Sequence, residues 1–183
     1  MDTAYSNDLL IQVDSDDNII DYKTKADCHK GDGLLHRAFS IFIFNADKQL
    51  LIQQRSAGKM LWPLHWSNSV CSHPRKNESY QQGIKRRLME EIGIETPLKF
   101  LFKFQYQSGY KKIGSENELC SVYIGQYDGQ VTADPLEIAE WKFIDKLTLN
   151  QQLKNNPEHF TPWFKIEWQR MQAHFNHELD DLH

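Results

Sequence analysis

The chain has 183 residues, of which 40% are hydrophobic and 25% charged, and its formal net charge is −4. This length suits one core of ordinary size, so we expect residues 1–183 to form a single domain. The negative charge argues against a nucleic-acid partner, because Lys and Arg dominate contacts with phosphate backbones. The start shows no basic segment followed by an apolar run, and no stretch approaches the roughly 18 apolar residues of a membrane span. The sequence therefore predicts no membrane partner and a cytoplasmic location.

Three cysteines, Cys28, Cys71 and Cys120, occur without the spacing of a disulfide framework. Their odd number and irregular spacing predict reduced thiols rather than disulfides. A thiol is then free to act as a ligand or a catalyst.

Short apolar runs predict two hairpins in the first third of the chain. Residues 9–13 and 18–22 flank a cluster of Asp and Ser that favours a turn. Residues 39–44 and 50–54 flank a second polar turn. Both hairpins need a covered face for their apolar side chains.

The segment 99–106 has aromatic residues at every second position. Side chains two apart in a strand point to the same side, so four rings are predicted on one face. These rings belong to Phe100, Phe102, Phe104 and Tyr106. Residues 119–127 and 140–144 predict further strands.

Apolar residues with helical spacing occur in two segments. In the first, 77–92, Asn77 is the predicted N-cap and Gly93 stands where a left-handed stop is favoured. The second begins at Thr161, followed by a proline in the first turn, and extends through Phe175. A mixed β-sheet with helices packed on it accounts for this order, so we assign the α/β (α+β) class.

Cys71 and His73 stand two residues apart, just before the first predicted helix. A helix dipole favours the thiolate form of a nearby cysteine, whereas burial opposes it. Taken alone, the segment is more typical of a half-buried structural cysteine.

Two acids, Glu116 and Glu118, lead into the strand predicted after them. In an extended chain both carboxylates face one side, where they repel each other unless a cation or a proton lies between them. A solvated, charged loop is the alternative interpretation.

Two histidines, His29 and His36, flank a flexible segment that could bring both rings to a common point. With His73 and the two acids they offer imidazole and carboxylate ligands suited to a divalent transition ion. His36 by itself is more typical of a surface or hydrogen-bonded histidine.

The first predicted helix carries charge on its apolar face. Arg87 and Glu91 share that face with Ile84 and Leu88, and buried charges need partners. A phosphate with Mg²⁺ would supply them, and an intrahelical salt bridge is the alternative. Three further cations either reach a diphosphate or lie on the solvated surface: Lys25, Arg55 and Lys59.

The stretch from Ser72 to Ile94 resembles the Nudix box, the helical motif with which that family binds a divalent ion on a pyrophosphate. The positions that align with the box are Ser72, Glu78, Arg86, Arg87, Leu88, Glu90, Glu91, Gly93 and Ile94. Two of them differ from the motif, since the box has Gly at the position of Ser72 and Glu at the position of Arg87. Replacing a metal-binding carboxylate with a cation disfavours diphosphate hydrolysis and favours holding the diphosphate intact.

Both departures, together with two other segments, resemble the type 1 isopentenyl-diphosphate isomerases. The segments are 62–74, Trp-Pro-Leu-His-Trp-Ser-Asn-Ser-Val-Cys-Ser-His-Pro, and 116–120, Glu-Asn-Glu-Leu-Cys. The resemblance extends from about Leu9 to the last helix. It implies a Nudix-like mixed sheet sandwiched by helices, with additional N-terminal strands and a C-terminal helix.

The same resemblance implies roles for individual residues. A Zn²⁺ or Mn²⁺ ion would be bound by His29, His36, His73, Glu116 and Glu118. Glu91 would hold Mg²⁺ on the substrate diphosphate, whose oxygens would contact Lys25, Arg55, Lys59 and Arg87. Cys71 and Glu118 would face each other across the five-carbon chain, with Tyr106 supporting the acid and Trp163 lining the pocket.

The implied reaction interconverts isopentenyl and dimethylallyl diphosphate in isoprenoid biosynthesis. Because one carbon gains a proton while another loses one, it needs two acid/base groups, which we assign to Glu118 and Cys71. A carbocation would be captured by water, so the pocket must be dry and lined by electron-rich rings. We expect a monomer that acts on a small molecule. The alternatives are a Nudix hydrolase of a nucleoside or other diphosphate and a binding module without chemistry.

Overall fold

A computed structural model describes residues 8–180. Within this range the strands are β1 Leu9–Val13, β2 Ile19–Thr24, β3 His36–Phe44, β4 Leu50–Arg55, β5 Trp66–Ser67, β6 Val70–Ser72, β7 Leu98–Tyr110, β8 Gly114–Gln126 and β9 Ile138–Ile144. The helices are α1 Lys25–His29, α2 Tyr80–Ile92, α3 Lys146–Asn155, α4 Pro162–His174 and α5 Asn176–Asp180, and a 3-10 turn covers Pro157–His159. None of these helices is long and apolar enough to cross a bilayer.

The central strand β3 organises the mixed sheet. It pairs in parallel with β8 and antiparallel with β1, β4 and β6. The parallel register places His36 beside Glu118, and the antiparallel register places Ser40 beside Cys71. Residues that are distant in the sequence therefore flank one strand.

Two apolar clusters cover the two faces of the sheet. Alternate residues of β3 point to opposite faces, so Phe42 packs with Phe164 of α4, whereas Ile41 packs with Leu88 of α2. This arrangement confirms the predicted mixed sheet between helices. The N-terminal hairpin of β1 and β2 is also confirmed.

The second predicted hairpin is present only at its turn. β3 and β4 pair at Phe44 and Leu50, after which β6 pairs with β3 at residues 39–41. β4 instead pairs with β5 and β9. The short strands β5 and β6 and the helices α1 and α3 were not predicted.

The predicted cap of α2 was wrong by two residues. Ser79 caps the helix, and its side chain and that of Gln82 form a reciprocal capping box. Asn77 instead adopts a left-handed conformation with φ of 68° in the preceding turn. Gly93, with φ of 67°, ends the helix as predicted. At the other end of the chain, α4 stops at His174, and Phe175 is its C-cap.

The four aromatic rings of β7 do not all share one face. A register shift separates Phe100, which pairs with Tyr123, from Phe102, which pairs with Val122. Phe100 is 50% exposed, while Phe102, Phe104 and Tyr106 contact one another in a row that leads toward the site. An extra residue in one strand reverses the alternation, which composition alone does not reveal.

Candidate active site

Three imidazoles and two carboxylates meet where β3 and β8 begin. Each offers a ligand atom within 4.8 Å of the others. The members are His29, His36, His73, Glu116 and Glu118, which is the set predicted from the sequence. They come from α1, β3, the segment after β6, and β8.

Backbone carbonyls fix the tautomer of two of these histidines. His29 Nδ1 lies 2.6 Å from the Lys25 carbonyl oxygen, and His36 Nδ1 lies 2.7 Å from that of Leu34. A carbonyl only accepts, so each Nδ1 carries the donated hydrogen. In the neutral rings Nε2 therefore carries a lone pair, which is directed into the cluster.

The inward-facing nitrogens oppose carboxylate oxygens. His29 Nε2 is 2.8 Å from Glu116 Oε2, and His73 Nε2 is 2.7 Å from Glu118 Oε1. His36 Nε2 is buried without a hydrogen-bond partner. A neutral imidazole lone pair and a carboxylate repel at such distances unless a cation or a proton separates them. The donor set and the unpaired nitrogen both fit a divalent metal ion.

The two acids of the cluster hold their protons differently. At Glu116, burial raises the pKa, but His29 in its protonated form more than offsets this effect and lowers the pKa to about 2. At Glu118, burial and the Glu116 charge raise the pKa well above its ordinary value. The Tyr106 hydroxyl donates to Glu118 Oε2 over 2.6 Å. Of the two acids, Glu118 is thus the one whose protonated form its surroundings favour.

A cavity of about 470 Å³ opens beside this cluster. Its wall includes predicted residues of all three kinds, catalytic, metal-binding and diphosphate-binding: Lys25, His29, Arg55, Lys59, Cys71, His73, Arg87, Tyr106, Glu116, Glu118 and Trp163. Met60 and Leu61, which the sequence did not single out, complete its apolar side. His36 and Glu91 are buried next to wall residues.

Cys71 lies in this wall and is half-buried. Burial raises the pKa of its thiol to about 12, although Arg55 Nη1, 3.9 Å from the sulfur, acts in the opposite direction. Burial therefore prevails, and the neutral thiol is the main form at neutral pH.

Trp163 is held by a residue that the sequence did not single out. Its Nε1 donates to Ser67 Oγ over 3.1 Å, and Ser67 Oγ lies 3.7 Å from the Cys71 sulfur. The Arg55 guanidinium lies 5.3 Å from the centre of the indole ring. Ser67 belongs to a two-residue strand that has no periodic signal, so this contact was not predictable.

The charges on α2 find protein partners. Arg87 Nη2 lies 2.7 Å from Glu91 and 3.0 Å from Glu137, so the intrahelical salt bridge considered above is present. Glu137 also pairs with Lys59. Burial raises the pKa of Glu137, but Lys59 and Arg87 outweigh it and lower the pKa to about 2. Glu137 is the last residue of a turn that carries no motif, and it was missed in the sequence.

Solved structures share this fold at low sequence identity. The DR0079 protein of Deinococcus radiodurans aligns with a TM-score of 0.67 and 19% identity over 81% of this chain and 90% of its own. The MutT protein of Methanosarcina mazei aligns with a TM-score of 0.63 and 17% identity over 76% and 94%. At these identities the likeness shows the fold alone.

Comparisons of the sequence are more specific. A family model described as the NUDIX domain matches residues 34–164. Isopentenyl-diphosphate Delta-isomerase 1 of Photorhabdus laumondii is 44% identical over 171 residues, which cover 91% of this chain and 97% of the relative. The isopentenyl-diphosphate Delta-isomerase of Serratia proteamaculans is 41% identical over 158 residues, covering 86% and 88%. The chain therefore belongs to the NUDIX domain family and, within it, to the isopentenyl-diphosphate Delta-isomerases.

Proposed function

We propose that this chain interconverts isopentenyl and dimethylallyl diphosphate, adding a proton to one carbon and removing one from another. The observation that carries the proposal is that Cys71 and Glu118, from strands on either side of β3, line one cavity. Relatives named as isopentenyl-diphosphate Delta-isomerases, at up to 44% identity, support it.

Two metal sites belong to this proposal. The five-residue cluster supplies ligands for Zn²⁺ or Mn²⁺, supported by the lone pair of His36 Nε2, which has no hydrogen-bond partner in the protein. Glu91 is assigned to a Mg²⁺ ion that accompanies the diphosphate. When bound, such ions supply positive charge that offsets the carboxylates and the phosphate oxygens.

Glu118 and Cys71 are assigned the two proton transfers. Glu118, hydrogen-bonded to Tyr106, gives a proton to the terminal alkene carbon of isopentenyl diphosphate. The positive charge then lies on the adjacent tertiary carbon, and the Cys71 thiolate takes a proton from the methylene carbon on its other side, so that the new double bond forms between these two carbons. The thiolate is the minor form in a buried setting, and Arg55 is the cation beside it. In the back reaction the two groups exchange roles.

The remaining wall suits the intermediate and the diphosphate. Trp163 is 3% exposed and presents an aromatic ring to the cavity, which stabilises positive charge and excludes water. Four cations line the same cavity and are assigned to the diphosphate oxygens: Lys25, Arg55, Lys59 and Arg87.

Incubation with isopentenyl diphosphate, Mg²⁺ and Mn²⁺ tests the function. We expect dimethylallyl diphosphate with both phosphates intact, detected by phosphorus and proton NMR. The competing hydrolase, using the Glu90–Glu91 end of α2, would release phosphate. Phosphate release without the isomer would therefore contradict the proposal.

The metal cluster is tested by substituting His36, whose Nε2 has no hydrogen-bond partner. His36→Gln should lower the bound Zn²⁺ or Mn²⁺ measured by elemental analysis, because one of five ligands is lost. Removing metal from the unsubstituted protein with a chelator should stop turnover, and the transition ion plus Mg²⁺ should restore it. His159→Gln, at an exposed histidine outside the cluster, is the control. Equal metal content in the two variants, or full activity of metal-free protein, would contradict the proposed metal site.

A further inference from the structure

Glu167 is a fully buried carboxyl group on α4 that the proposed reaction does not use. No ion pair in residues 8–180 involves it, and its Oε2 has no hydrogen-bond partner. The guanidinium of Arg170, one turn later, lies over the ring of Phe104. Because an unpaired buried charge is costly, the neutral acid is the form that this environment accepts.

The contacts of Glu167 lead toward both proton-transfer residues. Its Oε1 lies 3.5 Å from the Cys120 sulfur, which in turn lies 3.5 Å from Ser40 Oγ. Cys120 follows Glu118 by two residues on β8, so the two side chains share a face. Ser40 is the direct partner of Cys71 between β3 and β6. Glu167, Cys120 and Ser40 thus form a small polar floor next to the reacting groups.

We infer that Glu167 is a positioning residue for the proposed isomerisation, which as a neutral acid holds Cys120 and Ser40 and thereby the strand segments that carry Glu118 and Cys71. The inference rests on the proposed function. Neutrality is part of the role, because a carboxylate at this floor would add a negative charge near Glu118 and Cys71.

The electrostatic surroundings agree with this role. Burial raises the pKa of Glu167 to about 8, although hydrogen bonds from Ser40 and Cys120 and the charge of Arg170 lower it. The titratable groups that face it are Cys120 and Glu118 from β8, Cys71 from β6 and Arg170 from its own helix. The acid is therefore neutral at pH 7 and becomes charged on the alkaline side of about pH 8.

Three variants separate positioning from packing. Glu167→Gln keeps the shape and hydrogen bonding but cannot ionise, and Glu167→Ala removes both. Met171→Ala, fully buried one turn later on the same helix, opens a cavity without altering a polar group. For each, kcat and KM are measured across pH, together with the infrared C=O stretch of protonated carboxylic acids at pH 6.

We expect Glu167→Gln to retain kcat within about threefold at neutral pH and Glu167→Ala to lose about tenfold or more, with KM little changed, as expected for one buried hydrogen bond. Activity of the unsubstituted protein should fall above about pH 8 in a step that Glu167→Gln lacks and Met171→Ala retains. The infrared spectrum should lose one protonated-acid band in Glu167→Gln.

Superimposable pH profiles for Glu167→Gln and the unsubstituted protein would overturn the inference, as would an unchanged acid band. If the unsubstituted protein does not isomerise its substrate, the proposed function fails, and the positioning role fails with it. If it isomerises but the variants behave alike, only the inference about Glu167 fails.

Discussion

Two glutamates separated by one residue have pKa values shifted in opposite directions at this site. The histidines beside Glu116 favour its charged form, whereas the charge of Glu116 and burial keep a proton on Glu118. The spacing in the sequence predicted that both acids face one point, and the structure confirms it. Tertiary contacts decide which of the two acids has the raised pKa, so the sequence alone did not reveal this difference.

Several residues that contact the candidate site could not be predicted from the sequence. Glu137, Ser67 and Glu167 each contact a residue of the site or its floor. Glu137 and Glu167 belong to no motif, and the segment 62–74 that contains Ser67 does not indicate its contact with Trp163. Their contribution arises from burial and from chain segments that approach only in the folded protein. Buried polar groups of this kind carry no signature in a single sequence.

If Cys71 and Glu118 have the proposed roles, substituting either one should lower kcat. Cys71→Ala and Glu118→Gln should each lower kcat by about 10²–10⁴-fold, the usual range for losing a general acid or base. Binding of the diphosphate, measured by calorimetry, should remain detectable, since the four cations are untouched. Cys28→Ala, at a buried thiol of α1, is the control. Near-normal turnover of either active-site variant would exclude the two-group reaction.

At the scale of elements, the β7–β8 hairpin positions two parts of the site. It carries Tyr106 and Glu118 on neighbouring strands, which are directly paired in the register. The aromatic pattern predicted β7, but the register shift near Phe100 follows from its pairing with β8 and was not predicted. Local periodicity thus located the strand, and only the pairing fixed its faces.

A glycine at the start of β8 allows this hairpin to contact α1. A Cβ atom at Gly114 would collide with the backbone oxygen of His29, so Gly114→Ala must displace the histidine or the hairpin. We expect metal affinity to fall and turnover to decrease by about 10²-fold, since a misplacement of about 1 Å has that effect. Gly109→Ala, where the nearest atom would be Ser115 Oγ at 3.5 Å, is the matched control. Equal metal binding by the two variants would contradict this account.

At the scale of the whole molecule, the topology assembles the site. β3 lies between β6 and β8, so the residues proposed as ligands and catalysts on these strands come together, and α1 adds His29 beside them. The α/β class was accessible from the sequence, and its motifs pointed to residues that the fold brings to one cavity and one cluster. The strand order and the helices α1 and α3 were not, because short or weakly patterned segments are fixed by tertiary packing.

The stability of the molecule should depend on pH through Glu167. Its pKa is raised from 4.5 to about 8 on folding, so the folded state binds more protons in this interval. The free energy of unfolding then falls as pH rises from about 4.5 to about 8, and levels off above. Glu167→Gln lacks this pH dependence. Its free energy of unfolding, relative to that of the unsubstituted protein, should therefore increase as pH rises. Urea unfolding at pH 5 and pH 9 measures the difference, and a constant difference would contradict the assignment.

The most direct test is the origin of the protons in the product. Isopentenyl diphosphate is converted in heavy water, and the dimethylallyl diphosphate formed is analysed by deuterium NMR and mass spectrometry. If Glu118 donates a proton on one side of the cavity and Cys71 accepts one on the other, the product carries solvent deuterium in its methyl group. A product formed entirely without deuterium, by direct transfer within the substrate, would contradict the account.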